Sequence, residues 1–222
     1  MHKNKKMASR GVCFAFCMLF LMGIENTAQA APPLMHAATA QVSAQTKNSA
    51  SKKSHQLRVT QDRNKIARLS RQGRLDSARA ILKPFVDRKQ FGEIVSRLDL
   101  STKRNKGYLW SGDKEAFKKI AAHRGVKTLE MTLGGQVVDN WPYLNQKFTW
   151  HDGPTLSDGE RFWGETSKRY AEGLSGRVVA LQTPDKKGGG FIFKKYEYPV
   201  LVQLMQKGVV TRFTQEVITP KP

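Results

Sequence analysis

Apolar positions follow several different patterns along the 222 residues, and each change of pattern marks a boundary. Val12 to Ile24 is a nearly unbroken apolar run. Residues 31 to 55 hold almost no large apolar side chain, and such a stretch cannot bury enough surface to offset the entropy lost on ordering. From Val59 the spacing becomes helical. Ile66 and Leu69 precede Gly73 as a stop. Asp76 is placed to cap a short helix with Ala78, Ile81 and Leu82 before Pro84, and Phe91, Ile94, Val95 and Leu98 fall at i, i+3, i+4 and i+7. The apolar faces of these helices are narrow, so they should lean on the domain C-terminal to them.

Beyond Gly107 the elements alternate between types. Tyr108 to Trp110 is an apolar approach to a helix carrying Ala116, Phe117, Ile120 and Ala121, capped by Ser111 or Asp113 and ended by Gly125. Val126 to Thr132 alternates like a strand, with Thr128, Glu130 and Thr132 on one face and Gly134-Gly135 as its turn. Ser157 to Glu160 reads as a capping box for a helix whose one side carries Phe162, Trp163, Thr166, Ser167, Tyr170 and Ala171, closed by Gly173. Arg177 to Leu181 predicts a strand, Gln182 to Gly190 a loop with Lys186, Lys187 and three glycines, and Phe191 to Phe193 a return to the sheet. Pro199 opens a helix through Met205, and Val209 to Ile218 is the last alternating strand. The pattern is α/β, with N-terminal helices followed by a small, mostly parallel sheet flanked by helices and a cleft at the strand ends.

Charge divides the chain further. Lys and Arg outnumber Asp and Glu 38 to 18, and residues 51 to 107 hold 16 basic against 5 acidic side chains, whereas 108 to 222 hold 17 against 12. A basic half of this kind suits an acidic partner, an anionic surface or plain solubility, and no nucleic-acid motif accompanies it. Lys3, Lys5, Lys6 and Arg10 precede the apolar run, and Ala28-Gln29-Ala30 comes after it, the layout of a cleaved export signal too short to span a bilayer. The expected organisation is a signal peptide over 1–30, a flexible linker over 31–58, a basic helical region over 59–107 and a catalytic domain over 108–222. The product is then secreted or periplasmic. Both cysteines, Cys13 and Cys17, lie in the leader, which argues against a thiol nucleophile or a thiolate metal site.

Among chemical constellations, His36, His55, His123 and His151 lack zinc spacing, and there is neither a P-loop nor a nucleophile elbow. What remains is a set of acids, Glu130, Asp139 and Glu197, with Trp110, Trp163 and Ser167. Each has a bland reading: Glu130 as a solvent-facing strand residue, the tryptophans as packing, the lysine loop as a solvated hairpin. Carboxylates among aromatics without metal ligands also suit chemistry through a cationic transition state, as in glycosyl transfer.

Four motifs occur in order: W-S at 110–111; T-L-E-x-T-L-x-G from Thr128, with Asp139 nine residues after Glu130; F-W-x-x-x-S-K-R-Y-A-E over 162–172; and Phe193 followed four residues on by Glu197. In this order and spacing the chain resembles the ADP-ribosyl cyclase and NAD glycohydrolase family over residues 108–218, and within it the bacterial toxin-like members. The resemblance implies that Glu197 is the catalytic glutamate, with Ser167 near the anomeric carbon. It implies that Trp110 and Trp163 flank the substrate, that Glu130 and Asp139 engage the nicotinamide amide, and that Ser111 is part of the diphosphate site with Phe193 as its aromatic neighbour. NAD is then substrate, with no cofactor and no metal, and an acidic immunity protein is the expected partner. Gly112 and Ile192 depart from the family's basic residue and Thr, so phosphate binding should lean on backbone N–H groups or the lysine loop. The rival reading is an exported binding protein for nucleic acid or an anionic surface, and a third is a metal-dependent toxin nuclease. Salt-dependent DNA retention and chelator sensitivity would mark these two.

Overall fold

Gly176 to Gln182 is buried along nearly its whole length, and a strand shielded on both faces needs neighbours on both edges and cover above and below. The computed structural model describes residues 35–151 and 155–219, with side chains from residue 49 onward. The export signal expected over 1–30 lies outside these residues. The chain divides into a first unit, Met1–Gln45, described only as helix over 35–45, and a second, Thr46–Pro222.

The second unit holds a three-stranded, all-parallel sheet of order β1-β2-β3, with β1 at Tyr108–Ser111, β2 at Gly176–Gln182 and β3 at Val210–Val217. Tyr108 pairs with Val179 and Trp110 with Leu181, while Val178 pairs with Phe213 and Gln182 with Val217. The two-residue period of β2 sends Val178 and Ala180 into one core and Val179 and Leu181 into another. Helices supply the cover. These are α1 (Met35–Arg71), α2 (Leu75–Asp87), α3 (Phe91–Ser96), α4 (Lys114–His123), α5 (Leu133–Val138), α6 (Pro142–Lys147), α7 (Asp158–Glu172) and α8 (Tyr198–Gln206). Phe117 of α4 packs against Val179 and Leu181 with Ile120 beside it. The larger core joins Ile66, Leu82 and Ile94 of the basic helices to Leu109, Phe162, Val178 and Leu201. The basic helices therefore lean on the sheet-bearing part, as their narrow faces require.

Five local expectations need correction. The stretch expected as a flexible linker is helical from Met35, because α1 runs without interruption into the residues that bury Val59, Ile66 and Leu69. Asp76 does not cap α2. Arg74 holds the cap position and Asp76 instead pairs with Arg79 at 3.3 Å on the first turn. Nor does Pro84 end α2, which continues to Asp87 because burial of Leu82 and Val86 on either side outweighs the hydrogen bond that proline removes. Residues 126–132 form no strand beyond a single bridge between Gly107 and Lys127. The chain turns instead through one tight helical turn, Leu129–Met131, and Thr132 then caps α5 by accepting from Gly135 N at 3.0 Å. Gly134 and Gly135 sit inside that helix because their bare backbones press on Asp99 and Leu129, where an added Cβ would lie 2.8 Å from Asp99 N and 1.9 Å from the Leu129 carbonyl oxygen. Finally, Phe191–Phe193 does not resume the sheet. Gly188 and Gly189 take positive φ, the chain doubles back, and Lys194 N donates to Gly190 O at 3.0 Å as a helix opens.

Candidate active site

β1 lines a cavity of about 430 Å³ together with segments that follow the carboxyl end of β2. Such a position, outside the carboxyl ends of parallel strands, is where open α/β sheets hold ligands. All eight residues singled out in the sequence line this cavity: Trp110, Ser111, Glu130, Asp139, Trp163, Ser167, Phe193 and Glu197.

Each arrives by a different local device. Trp110 and Ser111 are the last two residues of β1. Trp163 and Ser167 are one turn apart on α7, whose start is secured by the capping box in which Ser157 and Glu160 satisfy each other's backbone N–H groups at 3.1 and 2.7 Å. Phe162 meets the edge of Trp163 at 5.2 Å and holds its ring from the core side. Glu197 closes a single turn of π-helix, Phe193–Glu197, that runs directly into α8. Helices widened by one residue in this way gather at functional sites, because the extra residue re-aims a side chain. Tyr196 inside that turn lies flat on α7 at Gly164, where a Cβ would come within 2.4 Å of its ring.

Electrostatics sort the acids into two kinds. Glu197 and Glu130 are buried, at 6% and 5% exposure. Burial, with the Glu130 charge adding to it, pushes the Glu197 carboxyl up to about 8, against a smaller opposing effect of the Ser167 hydroxyl. Burial also raises Glu130. Its own backbone N–H and the Trp110 indole, which donates to Glu130 Oε2 at 3.0 Å, partly restrain that rise. Tyr170, beneath the same cavity, is raised well above its usual range by burial and by the two carboxyls, and its hydroxyl donates to Lys127 O at 2.7 Å.

Asp139 behaves otherwise. Burial would raise it, yet Lys114 Nζ at 2.8 Å and Lys118 Nζ at 2.9 Å together hold it below the ordinary carboxylate range. Arg79 fixes the same segment by donating to the carbonyls of Val137 and Asp139 at 2.9 and 3.2 Å. Asp139 thus presents a compensated charge at the wall, whereas Glu130 and Glu197 have no cationic partner among the described residues. The expected phosphate cradle is also partly committed, since Gly188 N donates to Gln182 Oε1 and Gly189 N to Lys186 O. What the loop turns to the cavity is Gly190, beside Ser111 Oγ, and Lys186.

Sequence reasoning missed Lys114, Trp150, Tyr170 and Phe191, which also line the cavity. Tyr170 is visible in the sequence as core, on the α7 stripe. Lys114 reaches the wall through Asp139, twenty-five residues on, and neither Trp150 nor Phe191 belongs to a motif that marks it. Among the described residues no cluster of His, Cys, Asp and Glu could hold a metal ion, and no helix is long and apolar enough to cross a membrane.

Two buried carboxyls that no cation pairs among the described residues, beside a hydroxyl and two indoles, define an acid-lined pocket suited to a flat cation or to a reaction that develops positive charge. No protein-family model matches the chain, and no curated protein matches it either. Among solved structures, Aplysia cyclase complexed with substrate NGD and product cGDPR is similar to it, with a TM-score of 0.40 and 23% identity over 53% of this chain and 50% of that one. An ADP ribosyl cyclase complexed with N1-cIDPR gives 0.38 and 18%, over 52% of this chain and 64% of that one. A CD38 structure bearing on its catalytic mechanism gives 0.42 and 16%, over 59% and 72%. The likeness is partial, and the chain spans between half and two thirds of the first two.

Proposed function

We propose that the chain is an NAD glycohydrolase that cleaves the bond between nicotinamide and ribose to give nicotinamide and ADP-ribose. The observation that carries this reading is the meeting of Glu197, Ser167, Trp110, Trp163 and Glu130 around one cavity. Nicotinamide leaves as a neutral base from a cationic glycoside, so scission needs no strong acid. It needs an anion under the ribose as positive charge moves onto the sugar. Glu197 supplies it. An arriving pyridinium compensates the two buried acids, so binding draws Glu197 towards its ionised form. The Trp110 and Trp163 rings hold the planar base, and Glu130, kept in place by the Trp110 indole, faces its amide. Ser167 sits beside Glu197 near the anomeric carbon. Water then adds to the sugar and one proton is released, balancing NAD⁺ and water against ADP-ribose, nicotinamide and H⁺.

The export signal read at the N-terminus supports action outside the producing cytosol, and with it a toxin or effector role, in which an acidic immunity protein covers the cleft. Incubation of the chain lacking its leader with NAD, following nicotinamide release with and without chelator, tests the reading. Release that persists in chelator is expected. No release at all sinks the proposal, and release abolished by chelator points to a metal enzyme instead. Toxicity on cytosolic expression, relieved by a co-expressed acidic neighbour, tests the effector role.

A further inference from the structure

Six large apolar side chains stay exposed among the described residues, and two of them, Trp150 at 56% and Phe191 at 48%, line the cavity. Exposed aromatic surface in contact with water is unfavourable unless something covers it in use. Both rings are braced from behind. The Lys195 ammonium lies 4.9 Å from the Phe191 centroid, and Tyr196 meets Phe191 edge to face at 6.3 Å and 73°. Trp150 rests on the first turn of α7, where a Cβ at Gly159 would fall 3.0 Å from the indole. Rings anchored at the back and half bare at the front are stacking platforms rather than loose surface.

Their setting specifies what would stack. The buried lining of the cavity includes Glu130 and Glu197, while the more exposed lining includes Phe191, Trp150 and Lys186, the last with a side chain 52% exposed. The cavity thus joins buried acids to a more exposed part that holds one lysine and two aromatic rings. Those parts suit a molecule that carries a cationic ring, phosphates and a second flat base.

We propose that Phe191, with Trp150, forms the stacking platform for the distal base of a dinucleotide, so that the site selects dinucleotides over mononucleotides. This rests on the NAD reading above and adds to it the residue that recognises the half of the substrate remote from the chemistry. Base stacking on an aromatic ring is worth about 1–3 kcal/mol, so its loss should weaken binding roughly 5- to 150-fold.

The test uses Glu197→Gln protein, which allows substrate affinity to be measured without turnover, and compares NAD with nicotinamide mononucleotide by calorimetry. NAD should bind more tightly than the mononucleotide. Adding Phe191→Ala should weaken NAD within that range and confine the loss to the dinucleotide, and Phe191→Trp should restore it. Equal weakening of both ligands would mean that Phe191 merely supports the wall, and no change in either would mean that the ring is idle; both results overturn the proposal. Wild-type protein that binds NAD with this dependence on Phe191 yet releases no nicotinamide would overturn the catalytic reading alone.

Discussion

Replacing Glu197 by Gln should make the protein more stable as it abolishes catalysis, and the gain should depend on pH. The carboxyl sits at about 8 in the fold against an ordinary 4.5. Between these values the unfolded chain has released a proton that the folded chain keeps, so wild-type stability falls as pH rises, by about 1.4 kcal/mol per pH unit. Across the window the loss is on the order of 5 kcal/mol, of which about 3 kcal/mol has accrued by pH 7. Gln has the shape of the neutral acid and no proton to lose. The variant should therefore exceed wild type by about 3 kcal/mol at neutral pH, less whatever its extra N–H costs in finding a partner. At about 2–4 °C per kcal/mol for a chain of this size, that is a rise of roughly 6–12 °C in Tm. Unfolding by urea or heat at pH 5, 6, 7 and 8 checks this. The variant's advantage should widen by about 4 kcal/mol from the lowest pH to the highest. Parallel stability profiles for the two proteins, or a variant less stable at every pH, would refute the claim that this carboxyl is buried without a cationic partner.

The same geometry predicts three further outcomes. With NAD as substrate, kcat/KM should rise with pH and level off near 8, where the free enzyme's Glu197 ionises, while kcat should level off at lower pH because the bound cation favours the carboxylate; initial rates across pH 5–9 decide it. Trp110→Phe keeps an aromatic ring but removes the donor to Glu130, and should lower kcat/KM roughly 10- to 100-fold with little change in fold by circular dichroism, since a hydrogen bond to a charged acceptor is worth about 1.5–3 kcal/mol. Replacing Lys114 and Lys118 together by Met should destabilise the protein by about 1–3 kcal/mol at pH 7, by leaving Asp139 uncompensated. Because that carboxyl is depressed in the fold, the ion pairs stabilise above the ordinary carboxylate range and their contribution disappears as pH falls through the depressed value; equal destabilisation at pH 2 and pH 7 would contradict the assignment.

Local structure is what the sequence makes legible. The capping box at Ser157 and Glu160, the stripe of α7 and the branched residues of β2 and β3 each state their structure within a few positions, and the fold obeys them. The alternation over 126–132 places Glu130 on a strand. Whether such a segment pairs or turns depends on Thr132 capturing a backbone N–H and on two glycines fitting against Leu98, Asp99 and Leu129, contacts that periodicity does not contain. The site shows the same division. The motifs mark eight of the residues that line the cavity, but not that Asp139 is tied to two lysines more than twenty positions away, which is a tertiary fact. Phe191 is braced locally, by Lys195 and Tyr196, yet periodicity does not say that this turn stands on the cavity wall.

The widened turn at Phe193–Glu197 constrains how this protein can change over generations. Each residue of an α-helix advances its direction by about 100°, so deleting a single position there would swing the acid away from Ser167 even if every remaining side chain were kept. The count of residues between Gly190 and Pro199 should admit no variation. Spacing, more than chemical identity, is what this segment has to preserve.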